Sequence, residues 1–134
     1  MNKYIHLHIF TPNGKYFDDY ISFLSVKSTE YLLGIYPNHE PLITTLDISM
    51  MIIRKDDKED MYAISGGVMH IKENGTISLM LNSIERKDEI DINRALEAKS
   101  RAEKRLLEKD ENTSIVRAEA ALARALNRIN IANK

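Results

Sequence analysis

Four arginines in the C-terminal third of the chain have the spacing of a phosphate-binding surface. They form two pairs that would each share one helix face, Arg94 with Arg101 and Arg124 with Arg128. If the two faces meet, the guanidinium groups would converge near the carboxylates of Glu85 and Asp91 and could bind phosphate bidentately. On spacing alone, the favoured interpretation is a solvated helix surface with i,i+4 ion pairs such as Glu97–Arg101, which contribute little to stability.

Histidines supply two further candidate sites. His6 and His8 have the i,i+2 spacing that places two metal ligands on one strand face, but the sequence indicates no third ligand, so a partly exposed strand face is favoured. His39 and Glu40 lie between two prolines and would suit an acid–base pair. No nucleophile or oxyanion-binding device accompanies them, so a binding or structural role is favoured. We therefore assign no catalytic residue and no metal site.

The net charge, the composition and the absence of known motifs argue against several classes of protein. The 134-residue chain has a formal net charge of −1, so no strong field favours nucleic acid or an anionic membrane as a partner. It has no cysteine, no Walker loop and no Gly-x-Ser-x-Gly motif. No apolar run reaches the ~18 residues of a membrane-spanning helix. We expect a soluble or peripheral protein that requires no cofactor and inserts no segment into a membrane.

The composition changes abruptly near residues 84–95. All 9 aromatic residues, all 5 glycines and all 3 prolines precede residue 76, whereas 9 alanines follow the change and 1 precedes it. Residues 1–84 carry a net charge of −3 and residues 85–134 a net charge of +2. The pattern predicts an α+β protein with an N-terminal β-sandwich over residues 1–84 and a C-terminal antiparallel two-helix hairpin over residues 85–134.

The first domain is expected to contain about ten short strands. Apolar residues alternate over residues 4–10, and turn signals recur about every 8–12 residues, which is typical of a sandwich or small barrel. Residues 20–26 are predicted to form one strand, and residues 42–46 and 48–54 two separate strands. The pair Gly66-Gly67 indicates either a bulge or a close backbone approach.

The second domain is expected to be a weakly packed hairpin. Asp91 can cap the first helix, whose apolar stripe contains Ile92, Leu96, Ala102 and Leu106, with Ala95 and Ala98 beside it. A second helix over about residues 115–131 can be capped by Asn112, Thr113 or Ser114. Its stripe contains Ile115, Ala118, Leu122, Ala125 or Leu126, and Ile129. Alanine contacts bury little apolar area, so the pair is a candidate moving part.

Three motifs, in order along the whole chain, resemble those of the epsilon subunits of bacterial F-type ATP synthases. Residues 33–44 (LGIYPNHEPLIT) are similar to the G-I-x-P-x-H-x-P-L-x-T segment of that family. Residues 63–71 (AISGGVMHI) resemble its S-G-G-hydrophobic strand pair, and residues 90–95 (IDINRA) the I/L-D-x-x-R-A start of its first C-terminal helix. The resemblance implies a ten-stranded sandwich followed by a helical hairpin.

The resemblance also implies a non-catalytic role in the central stalk. In that family the sandwich binds the gamma subunit and sits on the ring of c subunits, which helps to couple proton flow to ATP synthesis at the cytoplasmic face of the cell membrane. The hairpin folds onto the sandwich or extends toward the catalytic alpha/beta head, where it inhibits ATP hydrolysis. The alternative function is a free-standing ATP-binding sensor, in which ATP is a regulatory ligand.

Site residues follow from the same resemblance. In family members whose hairpin binds ATP, the site is formed by the I/L-D-x-x-R-A segment and by arginines of both helices. At the matching positions, this implies base and ribose contacts from Glu85, Ile90, Asp91, Arg94 and Ala95, and phosphate contacts from Arg101, Arg124 and Arg128. It also implies a partner-binding loop formed by Tyr36, Pro37, Asn38, His39 and Glu40.

Two positions depart from the family pattern. Tyr31-Leu32 stand where the family usually has Gly-Glu, so no acidic contact to the ring is carried over from this loop. Asn38 replaces the usual glycine before His39.

Overall fold

The chain forms two compact units, one of strands and one of helices. A computed structural model describes residues 3–108 and 114–134. Contacts divide the chain into Met1–Arg86 and Lys87–Lys134. The first unit is a β-sandwich and the second contains two α-helices, so the predicted fold class is confirmed.

The sandwich is built from one continuous sheet that folds over its own core. The described residues contain eight strands: β1 (Ile5–Thr11), β2 (Gly14–Ile21), β3 (Phe23–Lys27), β4 (Leu32–Ile35), β5 (Leu42–Lys55), β6 (Lys58–Ile71), β7 (Ile77–Leu81) and β8 (Ile84–Arg86). Their order is β2-β1-β7-β6-β5-β3-β4, and β8 pairs with β6. The β1–β7 pair is parallel, and the other pairs are antiparallel.

Two long strands replace several short ones that the sequence predicts. β5 and β6 have 14 residues each and keep one register from Leu42↔Ile71 to Lys55↔Lys58. β6 pairs with β7 along one half of its length and with β8 along the other. The prediction of separate strands at 42–46 and 48–54 is therefore wrong. The pairing continues on both sides of Asp47, because no turn interrupts the chain there.

Gly67 marks a close approach between two strands. It pairs with Leu81 of β7, and a Cβ at Gly67 would overlap the carbonyl oxygen of Met80 and lie 2.9 Å from Cα of Leu81. The β5–β6 register is the same before and after the glycines. Of the two alternatives that the sequence leaves open, the structure has the close approach and not a bulge in this pair.

The predicted strand over residues 20–26 is wrong, because the chain changes direction at Ser22. Ile21 and Leu24 are both fully buried although they are three positions apart, which a single period-2 strand does not allow. The backbone amide and the hydroxyl of Ser22 both donate to the Arg54 carbonyl oxygen, at 2.8 and 2.9 Å. These bonds fix the corner between β2 and β3.

The core of the sandwich consists of large side chains from almost every strand. The predicted alternation in β1 is confirmed, since Ile5, Leu7 and Ile9 are buried and the residues between them are not. The cluster contains Ile5, Leu7, Ile9, Ile21, Leu24, Val26, Ile35, Leu46, Met51, Ile53, Tyr62, Ile64, Met69, Ile71, Ile77, Leu79 and Leu81.

The second unit is an antiparallel hairpin of α1 (Ile92–Glu108) and α2 (Ile115–Ala132). A 3₁₀ turn, Lys87–Glu89, precedes α1 and contacts α2, and the ammonium of Lys87 donates to the carbonyl oxygen of Lys134. The beginning of α1 therefore lies at the same end as the last residues of α2, which makes the helices antiparallel.

Both helices begin at a side-chain cap. Oδ1 of Asp91 accepts a hydrogen bond from the Arg94 amide at 3.2 Å, which confirms the predicted cap of α1. The hydroxyl of Ser114 accepts from the Arg117 amide at 3.3 Å and caps α2. The other two candidates for this cap, Asn112 and Thr113, lie outside the described residues.

The buried face of the helices is narrower than the predicted stripes. Its members are mostly alanine, namely Ala95, Ala102, Ala118, Ala125 and Ile131. Four larger residues of the predicted stripes are exposed instead, with exposed fractions of 37–46%: Ile92, Leu96, Ile115 and Leu126. Alanine lets helix backbones approach closely, so larger apolar side chains are displaced to the edges of the contact.

Candidate functional site

The helical unit gathers most of the predicted nucleotide-site residues. Asp91 precedes α1, Arg94 and Ala95 lie in its first turn, and Arg128 lies four positions before the end of α2. Because the helices are antiparallel, these residues lie at one end of the hairpin. Arg101 is farther along α1, and Arg124 is one turn before Arg128, on the same face of α2.

The four arginines differ in exposure. Arg94 and Arg101 are exposed, whereas Arg124 and Arg128 are partly buried. Three of the four arginines directly precede a buried alanine in sequence, namely Ala95, Ala102 and Ala125.

Three other residues of the predicted set already have structural roles. The Asp91 carboxylate caps α1, so any contact with a base or ribose would share this group with the Arg94 amide. The Ile90 amide donates to the Lys87 carbonyl oxygen at 3.3 Å. Ala95 is 4% exposed, and its methyl group contributes to packing.

Glu85 belongs to the other unit. It lies in β8, where it pairs with Ala63 of β6. The predicted set is thus divided between the two units, with Glu85 on the sheet and the remaining seven residues in the helical unit.

The predicted partner-binding loop connects β4 to β5. Asn38 has φ of +69°, in the left-handed region that glycine and asparagine tolerate best. This conformation explains why asparagine can stand where the family usually has glycine. Tyr36 is 61% exposed, and its ring lies 4.7 Å from the ring of Phe23.

His39 bonds to the main chain of its own loop. Its Nδ1 lies 2.7 Å from the Glu40 carbonyl oxygen, so Nδ1 must carry the proton and donate. This bond holds the ring against the backbone and not against the Glu40 carboxylate.

The carboxylate of Asp18 lies beside His6 and His8, and the sequence did not predict this third potential ligand. Pairing of β1 with β2 places His8 opposite Asp18, whose Oδ1 lies 2.7 Å from Nε2 of His6 and 3.8 Å from Nδ1 of His8. Within the described ranges, this is the one group of three potential metal-ligating side chains with ligand atoms within 4.8 Å of one another. The signal available in the sequence was the turn around Gly14, which implies a returning strand that carries Asp18.

Two neighbouring carboxyl groups on β2 have lowered pKa values. The hydrogen bond to His6, with a second one from Lys15, lowers the pKa of Asp18. A hydrogen bond from Lys55, at 2.6 Å, and one from the Tyr20 amide lower the pKa of Asp19. Both carboxylates are exposed and remain ionised at neutral pH.

The outer face of the central strands carries an apolar patch. Ile43, Val68 and Met80 come from β5, β6 and β7 and are 68%, 42% and 66% exposed. Val68 pairs directly with Met80, and Ile43 lies two positions from Thr45, the partner of Val68 on its other side. We call these three residues the outer patch. Adjacent exposed apolar side chains of this kind often mark a protein interface.

The helices do not have the character of membrane spans. Across residues 3–108 and 114–134, no helix combines the length and the apolar composition that crossing a membrane requires.

Two family models match the chain in succession. The description "ATP synthase, Delta/Epsilon chain, beta-sandwich domain" matches residues 4–87. The description "ATP synthase, Delta/Epsilon chain, long alpha-helix domain" matches residues 88–133. The two matches follow each other in the order of the two structural units.

Full-length relatives agree with these models. The ATP synthase epsilon chain of Halalkalibacterium halodurans is 37% identical over 131 residues, which cover 97% of this chain and 98% of the relative. The epsilon chain of Ligilactobacillus salivarius is 41% identical over 129 residues, which cover 93% of this chain and 92% of the relative.

Solved structures share the fold. A chain in the Euglena gracilis mitochondrial ATP synthase, solved as OSCP/F1/c-ring, matches with a TM-score of 0.81 at 21% identity, covering 92% of this chain and 78% of that one. A chain from the central stalk and c-ring of the Tetrahymena thermophila enzyme matches with a TM-score of 0.68 at 15% identity, covering 98% and 97%. Both family models and the bacterial relatives establish that the chain belongs to the ATP synthase epsilon chain family.

Proposed function

We propose that this chain is a non-catalytic central-stalk subunit of a proton-translocating F-type ATP synthase, located peripherally at the cytoplasmic face of the cell membrane. The carrying observation is that both family models match in succession from residue 4 to residue 133, on a sandwich and a hairpin. Its sandwich couples proton flow to ATP synthesis by joining the rotor. Its hairpin restrains ATP hydrolysis by contacting the alpha/beta head.

The outer patch is the proposed docking surface for the gamma subunit. Its residues project from three neighbouring strands whose opposite face forms the core, so the surface is both rigid and apolar. A rigid apolar surface can bind without losing backbone entropy. The loop at residues 36–40, with exposed Tyr36 and the fixed turn at Asn38, is the proposed contact with the c-ring.

A pull-down with gamma subunit tests the docking surface. Met80→Glu should weaken gamma binding strongly, because a carboxylate would be buried without a partner in the apolar contact. The matched control is Leu32→Glu, which adds the same charge at a side chain that is 69% exposed on β4. Gamma binding that is equally sensitive to both variants, or to neither, would remove the outer patch from the proposal.

Coupling is tested in the assembled enzyme. Membranes depleted of epsilon should regain ATP-driven proton pumping when the full chain is added back. A version that ends before α1 should restore assembly but release ATP hydrolysis from inhibition. A chain that neither binds gamma nor restores coupling would overturn the central-stalk role.

ATP is the proposed regulatory ligand of the hairpin, and a free-standing ATP sensor is the second candidate function. Its support is that Asp91, Arg94 and Arg128 belong to one end of an antiparallel pair, where a bound triphosphate would join the two helices. Within the helical unit, Ile90 and Ala95 would contribute base and ribose contacts, and Arg101 and Arg124 further phosphate contacts. The negative charge of a bound triphosphate would neutralise the arginines of both helices, and this would hold the helices together.

Titration of ATP into the full chain, followed by NMR of the backbone amides, tests the ligand. Shifts should centre on α1 and α2 and be lost in the Arg124→Ala and Arg128→Ala variants. Arg117→Ala is the matched control, because this arginine is exposed near the start of α2. Absence of shifts at millimolar ATP, or an unchanged response in both variants, would contradict ATP sensing but leave the stalk role intact.

A further inference from the structure

Two imidazoles and a carboxylate meet on the outer face of the β1–β2 hairpin. Nε2 of His6 and Nδ1 of His8 both approach Oδ1 of Asp18, at 2.7 and 3.8 Å. The side chains of His6, His8 and Asp18 are 31%, 24% and 36% exposed, so ions in solution can reach all three. We propose that these residues form a three-ligand site for a divalent transition-metal ion of the zinc and copper class.

The distances suit an ion after a small rearrangement. Zn²⁺ binds imidazole nitrogen and carboxylate oxygen at about 2.0–2.2 Å, which sets neighbouring ligand atoms roughly 3–3.5 Å apart. The three ligand atoms already lie within 4.8 Å of one another. Rotations of the exposed side chains that move the ligand atoms by roughly an ångström would separate His6 from Asp18 and admit the ion between the rings. Water would complete the coordination.

Aromatic contacts hold the two rings in place. The ring of Tyr20 stacks on His6 at a centroid distance of 4.6 Å and an angle of 16°. Phe10 lies nearly parallel to the His8 ring at 6.2 Å, and the two imidazoles are 4.1 Å apart. Rings held in this way lose less conformational freedom on binding, which favours affinity.

Asp18 is held as an oxygen ligand between the rings. Oδ1 lies against the histidines, and Oδ2 accepts from the Lys15 ammonium at 3.1 Å. The nearby ammonium opposes a bound cation, and its removal is therefore expected to strengthen binding.

The ligand types select the metal. Imidazole suits Zn²⁺, Cu²⁺ and Ni²⁺, whereas Mg²⁺ and Ca²⁺ require oxygen ligands. Divalent copper is expected to bind more tightly than zinc at the same site.

Titration of the untagged full chain with ZnCl₂, followed by NMR of the histidine rings, tests the site. The rings of His6 and His8 should shift together and saturate at one equivalent, while those of His39 and His70 serve as internal references. His8→Gln should weaken zinc binding by roughly 10- to 100-fold or more. Loss of a hydrogen-bond partner of a metal ligand already has an effect of this size, and His8 is proposed as a ligand itself. His70→Gln is the matched control, because this histidine is exposed on β6.

A second variant keeps the test independent of folding losses. Lys15→Ala removes the competing cation but no ligand, so it should tighten zinc binding severalfold. With CuCl₂ as probe, electron paramagnetic resonance should report two nitrogen ligands. Equal shifts at all four histidines, equal affinity in the His8→Gln and His70→Gln chains, or no gain with Lys15→Ala would each overturn the site.

Discussion

The sandwich and the hairpin both bury apolar side chains, but they use residues of different size. In the sandwich, leucine, isoleucine, methionine and tyrosine fill the core, and many of them are fully buried. In the helical unit, four of the five buried residues are alanine. Burial free energy rises with apolar area, at about 25 cal/mol per Å². The difference indicates a sandwich with a large stability reserve and a hairpin that opens at little cost.

The chain provides separate signals for the two regions. All 6 tyrosines precede residue 63 and the chain has no tryptophan, so tyrosine fluorescence follows the sandwich. The described α-helices both lie beyond residue 91, so the far-ultraviolet helix signal follows the hairpin. Transitions that coincide in urea for every variant would contradict the distinction between the two regions.

The largest effect is expected from a leucine deletion in the sandwich. Leu7→Ala removes a side chain with 0% exposure and should lower the free energy of unfolding by about 2–5 kcal/mol. The matched deletion is Leu107→Ala in α1, where the side chain is 84% exposed and the change should stay within about 0.5 kcal/mol. Urea unfolding measures both, by tyrosine fluorescence for Leu7→Ala and by the helix signal for Leu107→Ala, and equal losses would contradict the core assignment.

A smaller effect is expected from overfilling the helix contact. Ala125→Leu inserts a larger side chain at a position that is 1% exposed and should cost about 1–3 kcal/mol because the helices must separate. Ala123→Leu makes the same change at an exposed position of α2 and should be nearly neutral. The helix signal should be lost at lower urea for Ala125→Leu alone, while the tyrosine transition stays in place.

Loss of a helix cap is expected to matter less. Ser114→Ala removes the acceptor of the Arg117 amide and should destabilise α2 by about 1 kcal/mol. Ser100→Ala, at an exposed position inside α1, serves as the control, since alanine is the better helix former. Amide hydrogen exchange in the first turn of α2 measures the change, and unaltered protection there would refute the capping role.

The smallest effect is expected from the surface pair of Asp19 and Lys55. The hydrogen bond from Lys55 lowers the pKa of Asp19 in the folded protein. The pair therefore stabilises the fold at pH values above the unfolded-state pKa of the carboxyl group. This stabilisation is lost as the pH falls through the folded-state pKa. Asp19→Asn should therefore reduce stability slightly at neutral pH and converge with the parent at acid pH. The comparison is made by thermal unfolding across this pH range. A gap between the two chains that widens toward acid pH would contradict the sign.

Short-range patterns in the sequence predicted the elements that depend on local chemistry. Alternation over residues 4–10 corresponds to the buried face of β1, because side chains in a strand point to opposite sides in turn. Asp91 was predicted as a cap because its carboxylate needs only the amide of Arg94, three positions away. The full 14-residue length of β5 and β6 was not predicted, because its outer end joins Leu42 to Ile71, which are far apart in sequence.

The candidate sites divide in the same way. By itself the sequence determined the sandwich and hairpin classes, the family motifs and the helical spacing of the arginines, all of which are set by composition and local period. Only the tertiary structure decided which residues pack between the helices, where alanines are buried and Leu96 and Leu126 are exposed, because burial depends on which helix faces meet. Only the tertiary structure placed Asp18 beside His6 and His8, because strand pairing joins residues that are ten or more positions apart.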